Sequence, residues 1–411
     1  MTGAQKIQAR IDELAAISED THIITRTFGT PAFLKCSKVI AGWMQKAGLQ
    51  TWTDNIGNVR GRLPSSNAHA KTLVIASHMD SVVNAGRYDG PLGILLGLEI
   101  IESLVKADTS IPFHIELIAF SDEEGVRFHT TYLGSKVVAG SFDDVLLQKK
   151  DASGITLQEV IIAMGGDPAK LKADALAPDE WLGYFEVHIE QGPVLYERNI
   201  PVALVKGIAG QKRSEIVFKG IAGHAGTVPM DMRHDALCAA AAFILEVEQW
   251  ALQHKDSIVA TVGKLNISHA ASNTIPGEVL CTLDLRSNDP KALADVYSAL
   301  QLNCAQLCSL RHIEYSWTLV QETAPVACDA ALNKLLALAI KEAGHEPLAL
   351  VSGAGHDGVP ISTVSPVAML FVRCFEGISH HPLENVALKD LTAAVEVSTN
   401  FIHQLIKTHT R

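Results

Sequence analysis

The sequence contains no Cys-x-x-Cys pair, no apolar run near the ~20 residues a membrane-spanning helix needs, and no stripe of basic residues. The first absence turns any metal site away from thiolates and towards His, Asp and Glu. The seven cysteines, at 36, 238, 281, 304, 308, 328 and 374, are scattered and odd in number. They read as reduced core thiols of a cytosolic protein, although Cys304 and Cys308 could share a helix face. The second absence argues against a helical membrane protein. The third, with a net charge of −11, makes nucleic acid and anionic membrane poor partners. The first residues, Met1-Thr2-Gly3-Ala4-Gln5-Lys6, hold no apolar segment of the signal-peptide kind, so the expected location is cytoplasmic. No internal repeat or low-complexity stretch is apparent.

What is present is an ordinary globular composition. Apolar residues make up 47% and charged residues 19%, enough for a full core under a soluble surface. The 411 residues leave room for two domains, or for one large domain with an insertion. Helices are expected at 5–17, at 31–47 (Thr30 as N-cap, Pro31 in the first turn, Gly48 as stop) and from Pro91 to Val105. Strands are expected near 49–53, 57–62, 72–76 and 113–120, and strand alternating with helix is the α/β signal. Residues 132–180 read as helical and irregular, with a helix near 156–164. Then the texture changes. Strand 214–219, helix 231–253, strands 257–267 and 279–286, helix 290–310 and strand 312–320 follow a ferredoxin-like order. Residues 206–324 are therefore expected to form an inserted domain, and 1–205 with 325–411 the first domain. Helix 329–342, strand 368–372 and helix 387–407 complete the latter.

The densest chemical signal is Ser77-His78-Met79-Asp80-Ser81-Val82-Val83, followed by Tyr88-Asp89-Gly90. It comes straight after Thr72-Leu73-Val74-Ile75-Ala76, which reads as a buried parallel strand. Open α/β folds place their ligands at the carboxyl ends of such strands. His78 and Asp80 are two residues apart, so on an extended backbone they point to the same side. Asp89 lies eleven residues beyond His78, across a loop holding Asn84, Gly86 and Gly90. A His and an Asp brought together in this way are natural ligands for a divalent cation, although Asp-Gly before a helix is also a common turn and cap.

Further along, strand 113–120 ends at Asp122-Glu123-Glu124. Three consecutive carboxylates also suit a solvated acidic turn. Here, however, they follow a buried strand at the sheet edge expected for His78. Neighbouring acids point in different directions, so one can ligate a metal while the next carries a proton. Like charges this close are costly unless a cation compensates them. A strand through Glu186, His188 and Glu190 runs into Gln191-Gly192-Pro193, and Gly377-Ile378-Ser379-His380-His381-Pro382-Leu383-Glu384 reads as a loop.

Eight motifs in order, SHMDSV…YDG, SDEEGVRF, HIEQGPV, GHAGTVPMDMRHDA, SNTIPGEV, LDLR, SGAGHD and GISHHPLE, cover nearly the whole chain. With them the chain resembles the M20 metallopeptidase superfamily, and within it the branch of allantoate amidohydrolases and N-carbamoyl-amino-acid hydrolases. The resemblance implies an α/β fold: a mixed-sheet di-metal hydrolase domain with an inserted ferredoxin-like α+β dimerisation (lid) domain. It implies two divalent metal ions per subunit, Zn²⁺, Mn²⁺ or Co²⁺. His78 and His188 would each bind one ion, Asp89 would bridge both, and Glu124 and His380 would complete the second. Glu123 would be the general base. Gln191, Asn273 and Arg286 would hold the substrate carboxylate, the Arg fork suiting a planar group. Gly355 and His356 would line the pocket. His224 matches a histidine that reaches from the partner subunit's small domain to stabilise the reacting oxygen, which requires a homodimer through the inserted domain.

His381 follows His380 and is a possible ligand, although the SH-x-P-x-E frame favours His380. Gly358-Val359 replace the Ala-Met often seen after Gly-His-Asp. His129, His269 and His312 fit no motif and read as structural or surface residues. The expected activity is hydrolysis of a ureido C–N bond, with allantoate as substrate, because TRTFGTPAF…GWMQKAGLQTWTDNIGNVRGR and FSDEEGVRFHTTYLGSKVVAG resemble the plant-type allantoate enzymes. An N-carbamoyl-L-amino-acid hydrolase or β-ureidopropionase is the alternative. A dipeptidase or aminoacylase is disfavoured by His188 and the Gln191 context. A non-catalytic relative is disfavoured because Glu123 and every ligand position are intact.

Overall fold

Thr72–His78 forms a strand buried along its whole length, and His114–Phe120 beside it is buried in the same way. Continuous apolar runs of this kind belong in the middle of a sheet covered on both faces. In the computed structural model, which describes residues 1–410, they lie at the centre of a mixed sheet. Its strands run in the order Gln50–Thr53, Val59–Leu63, His114–Phe120, Thr72–His78, Trp181–Ile189, Val367–Val372, Val202–Ile208, with Ala349–Ser352 also paired to the last. The four middle strands are mutually parallel, and the pairings of Gln50–Thr53 with Val59–Leu63, Val59–Leu63 with His114–Phe120 and Val367–Val372 with Val202–Ile208 are antiparallel. Helices Gly3–Ala15, Pro91–Lys106, Ala330–Glu342 and Leu388–His409 pack on one another, while Pro31–Lys46 packs against the Gln50–Thr53 and Val59–Leu63 strands. Thr30 caps Pro31–Lys46 by accepting the Phe33 N–H.

The chain divides into two units: Met1–Lys206 with the described residues from Cys328 onward, and Gly207–Ala327. The second has its own core, including Phe218, Phe243, Leu283, Leu300, Cys304 and Cys308. Its sheet runs from Val259–Thr261 and Leu265–Ile267, through Glu278–Ser287 and Gly210–Lys219, to Glu314–Thr323. All pairings are antiparallel, and helices Ala236–Gln253 and Pro290–Leu310 complete the ferredoxin-like order.

Three local differences from the sequence reading have physical causes. The strand expected at 257–267 is two strands, because one extra residue is absorbed around Gly263 between the Thr261↔Asp284 and Leu265↔Cys281 pairs. The helix expected from 231 starts at Ala236, where Asp235 accepts the Leu237 and Cys238 N–H groups as N-cap. Val202–Ile208 is a strand that Lys206 and Gly207 disguise in the sequence.

Candidate metal centre

Parallel strands deliver their carboxyl ends to one sheet edge, and here three neighbours deliver His78, the Glu123-Glu124 pair and His188. His78 ends its strand opposite Phe120, three residues before Glu123, and His188 sits opposite Phe371 near the end of its own. The two imidazoles stack with centroids 5.8 Å apart. Asp89 returns to them from the loop after His78. Its Oδ1 lies 3.3 Å from His78 Nε2 and 3.1 Å from His188 Nε2. Its Oδ2 lies 3.1 Å from His380 Nε2, which is also 3.5 Å from Glu124 Oε1. Among the described residues three groups of donor atoms gather within 4.8 Å: His78-Asp89-His188, His78-Glu123-Glu124 and Asp89-Glu124-His380. Asp89 joins the first to the third.

These residues fit divalent cations. His188 Nδ1 lies 2.9 Å from the Ile189 carbonyl and His78 Nδ1 3.2 Å from that of Asp80. A carbonyl oxygen only accepts, so each Nδ1 carries a proton and each Nε2 is left to face Asp89. Electrostatics agree. Burial, with the charge of Asp89 next, pushes Glu124 up to about 7. Burial also pushes Glu123 well above the usual carboxylate range. Burial opposes charge on His78 and His188, but the neighbouring aspartates outweigh it and raise both. Burial works against Asp89 too, yet hydrogen bonds from His188, His380 and His78 hold its carboxyl well below the usual range. Without metal, protons occupy the positions between nitrogen and oxygen donors that a cation would take.

The acidic triplet is no solvated turn. Asp122 and Glu123 are buried. Asp80 accepts the Glu123 N–H at 3.0 Å on one oxygen and the Glu124 N–H at 3.1 Å on the other. The Tyr132 and Leu133 N–H groups close on the carbonyls of Glu123 and Asp122.

Gln191, at φ 58°, aims Nε2 at Asp89 Oδ2 (2.9 Å) and Ser379 Oγ (3.2 Å). It lines an open cavity of about 600 Å³ with Ser379, His380 and His381. His356 is buried with its ring 4.5 Å from that of His188, its Nε2 bonded to Ser352 Oγ at 2.7 Å. Gly355 sits against the Tyr132 hydroxyl. Of the two adjacent histidines, His380 reaches Asp89 and Glu124, while His381 Nδ1 accepts the Leu383 N–H.

His224, Asn273 and Arg286 belong to the second unit. His224 pairs with Thr274, and the Asn273 carbonyl accepts the Ala225 N–H, so the first two are neighbours. Arg286 grips Asp284 with Nε and Nη2 at 2.8 and 2.9 Å. His129, His269 and His312 are exposed left-handed turn residues outside the donor groups. The sequence reading missed the roles of Asp80 and Glu384, which bind main-chain N–H groups; the His-x-Asp spacing and the Glu of HHPLE were the only available signals.

Residues 74–404 match the model of Peptidase family M20/M25/M40. The chain belongs to this family. It is 40% identical to the allantoate deiminase of Arabidopsis thaliana, over 94% of this chain and 79% of that protein. It is 35% identical to the N-carbamoyl-L-amino acid amidohydrolase of Geobacillus stearothermophilus, over 98% and 99%. Among solved structures, an amidase of the hydantoinase/carbamoylase family from Burkholderia multivorans superposes with a TM-score of 0.92 at 32% identity, covering 99% of this chain and 98% of that one. The protein is thus an M20 hydrolase with the mixed α/β fold of such amidases. In this M20 chain the buried cluster around Asp89 could hold the divalent metals the family generally binds.

Proposed function

We propose that this M20 hydrolase cleaves the ureido C–N bond of allantoate, releasing ammonia and carbon dioxide in purine (allantoin) catabolism. One observation carries the hydrolytic centre, the two oxygens of Asp89 facing different histidines with Glu123 and Glu124 alongside, and 40% identity to the Arabidopsis thaliana allantoate deiminase supports the substrate. His78, Asp89 and His188 would hold one divalent ion, and Asp89, Glu124 and His380 the other. Nitrogen and oxygen donors without sulfur suit Zn²⁺, Mn²⁺ or Co²⁺.

Bound there, the cations supply Lewis-acid polarisation of the carbonyl and make water more acidic. Glu123 takes a proton from the water that attacks the ureido carbon. Buried beside the metal donors, it is placed to hold that proton. It then passes the proton to the leaving nitrogen as the C–N bond breaks, giving ammonia and a carbamate that loses carbon dioxide. His224, supplied across a homodimer formed by the second unit, is assigned to the charge that develops on the carbonyl oxygen. Gln191, Asn273, Arg286, Gly355 and His356 are assigned to the substrate. The roles of His224, Asn273 and Arg286 rest on the motif match, and a cytoplasmic location on the sequence.

Similarity to an N-carbamoyl-L-amino acid amidohydrolase over 98% of the chain supports a second reading, with the same metals, the same base and a carbamoyl amino acid as substrate. Ammonia release from metal-loaded enzyme decides between them, with allantoate, N-carbamoyl-β-alanine and an N-carbamoyl-L-amino acid compared side by side. Turnover of allantoate alone, lost in Glu123→Gln, is the expected result. Turnover of carbamoyl amino acids alone keeps the mechanism and overturns the substrate. No turnover of any of the three overturns both readings.

A further inference from the structure

We infer that Glu384 is a positioning residue that ties Asp89 to the His380 loop and so sets the affinity of the cation on the Oδ2 side of Asp89. The inference rests on the two-cation reading above. Asp89 is carried by a loop that must return across eleven residues after His78. It precedes a helix whose N-cap, Gly90, offers no side-chain hydrogen bond.

Glu384 reaches the two residues just before this N-cap from nearly three hundred residues away in sequence. Its Oε1 accepts the Tyr88 N–H at 2.7 Å and the Asp89 N–H at 3.1 Å. Its Oε2 lies 3.3 Å from Ser379 Oγ, and that hydroxyl donates to Asp89 Oδ2 at 2.8 Å. One carboxylate therefore holds the Asp89 main chain directly and packs its second oxygen against the Ser379 hydroxyl, whose single hydrogen goes to Asp89 Oδ2. Ser379 and Glu384 flank His380, whose Nε2 faces the same Oδ2. The carboxylate is buried, and it fits only because residue 86 is glycine: a Cβ there would lie 2.1 Å from Glu384 Cδ.

The geometry is asymmetric. His78 and His188 meet Oδ1, whereas Ser379, Gln191 and His380 converge on Oδ2. Loss of the strap should loosen one cation more than the other. A purely structural role for Glu384 would lower overall stability without that selectivity.

The test is a Co²⁺ titration of metal-stripped, full-length enzyme, followed by visible absorption and calorimetry. It compares wild type, Glu384→Gln and Glu384→Ala, with the melting temperature of each. Glu384→Gln keeps an oxygen for the two N–H groups and can donate to Ser379 Oγ, so it should take up both ions as wild type does. Glu384→Ala should lose about tenfold to hundredfold in affinity for one ion and leave the other unchanged. Equal affinity for both ions in Glu384→Ala, or an equal loss at both, overturns the inference. If Glu384→Ala does not fold, Ser379→Ala removes the hydroxyl that Asp89 Oδ2 and Gln191 share and leaves the main-chain bonds of Glu384 in place. It should show the same one-sided loss, smaller in size, and unchanged binding overturns the inference. A wild type that binds two ions but hydrolyses no ureido compound leaves the inference standing and removes the proposed substrate. A wild type that binds none overturns it.

Discussion

The Asp80 carboxylate accepts the main-chain N–H of Glu123 at 3.0 Å, so an acid two residues beyond His78 orients the residue assigned as general base. The same carboxylate also takes the Glu124 N–H. Replacing Asp80 with Ala leaves two buried N–H groups without a partner and lets Glu123 shift. A displacement of about 1 Å from the reactive geometry costs on the order of 100-fold in rate. Asp80→Ala should therefore lower kcat about that much while changing KM little. Asp80→Asn, which keeps one accepting oxygen, should fall between. Steady-state kinetics on the preferred ureido substrate, alongside melting curves, check this.

Metal uptake should depend on pH in a definite direction. In the metal-free protein the hydrogen bond to Asp89 raises His380 to about 9. Burial raises Glu124 to about 7. A cation must displace these protons before it can bind. Apparent affinity should rise as pH increases from about 6 towards about 9, by up to about tenfold per pH unit for each proton displaced. Protons should appear in weakly buffered solution as metal is added. His380→Ala should flatten the upper part of the curve. Indicator-dye titrations at several pH values measure both effects, and an affinity that falls with rising pH contradicts the assignment.

A third prediction concerns the scaffold. Arg373 follows the strand that neighbours the His188 strand, and its guanidinium grips Asp390 on the last helix, with Nε to Oδ2 at 3.0 Å and Nη2 to Oδ1 at 2.6 Å. Both residues are buried. Removing one partner of such a pair leaves an uncompensated charge and costs about 3–5 kcal/mol. Asp390→Ala should lower unfolding stability by about that amount in denaturant titrations. Folded Asp390→Ala at low temperature should still bind metal, because no donor group includes Asp390.

How much of this was legible in the sequence depends on what each residue bonds to. His78, Glu123, Glu124 and His188 were visible because a polar side chain at the end of an apolar strand has few roles other than a site. Asp89 was visible because a Tyr-Asp-Gly turn leads into a Pro-initiated helix. The residues of the second unit came only from motif matching: Arg286 alone is an ordinary strand charge, and its bond to Asp284 fits that description equally well. The SH-x-P-x-E frame favoured His380 over His381, and in the structure His380, at φ 55°, is the one that reaches Asp89 and Glu124. Asp80 and Glu384 were hidden for a different reason. Both act on backbone N–H groups, which every residue carries, so no side-chain pattern marks their partners. Val202–Ile208 was missed because its apolar run is broken by Lys206, the exposed residue of an otherwise buried strand.

The assignment of Arg286 to the substrate carboxylate makes the last prediction. Its guanidinium is oriented by Asp284, whose carboxyl stays below its usual range because hydrogen bonds from Arg286 and Arg213 outweigh the effect of burial. A guanidinium fixed in this way is pre-arranged for a planar anion, which a lysine ammonium cannot match. A carboxylate remote from the scissile bond is held equally in ground and transition states, so its loss should raise KM and leave kcat nearly intact. Arg286→Lys should raise KM for a ureido carboxylate about tenfold or more, as expected for losing a charged hydrogen bond of about 1.5–3 kcal/mol. A substrate analogue with the carboxylate converted to an amide should be turned over equally by wild type and Arg286→Lys. If the variant handles the analogue worse than wild type does, Arg286 acts elsewhere, and the carboxylate is held by other groups.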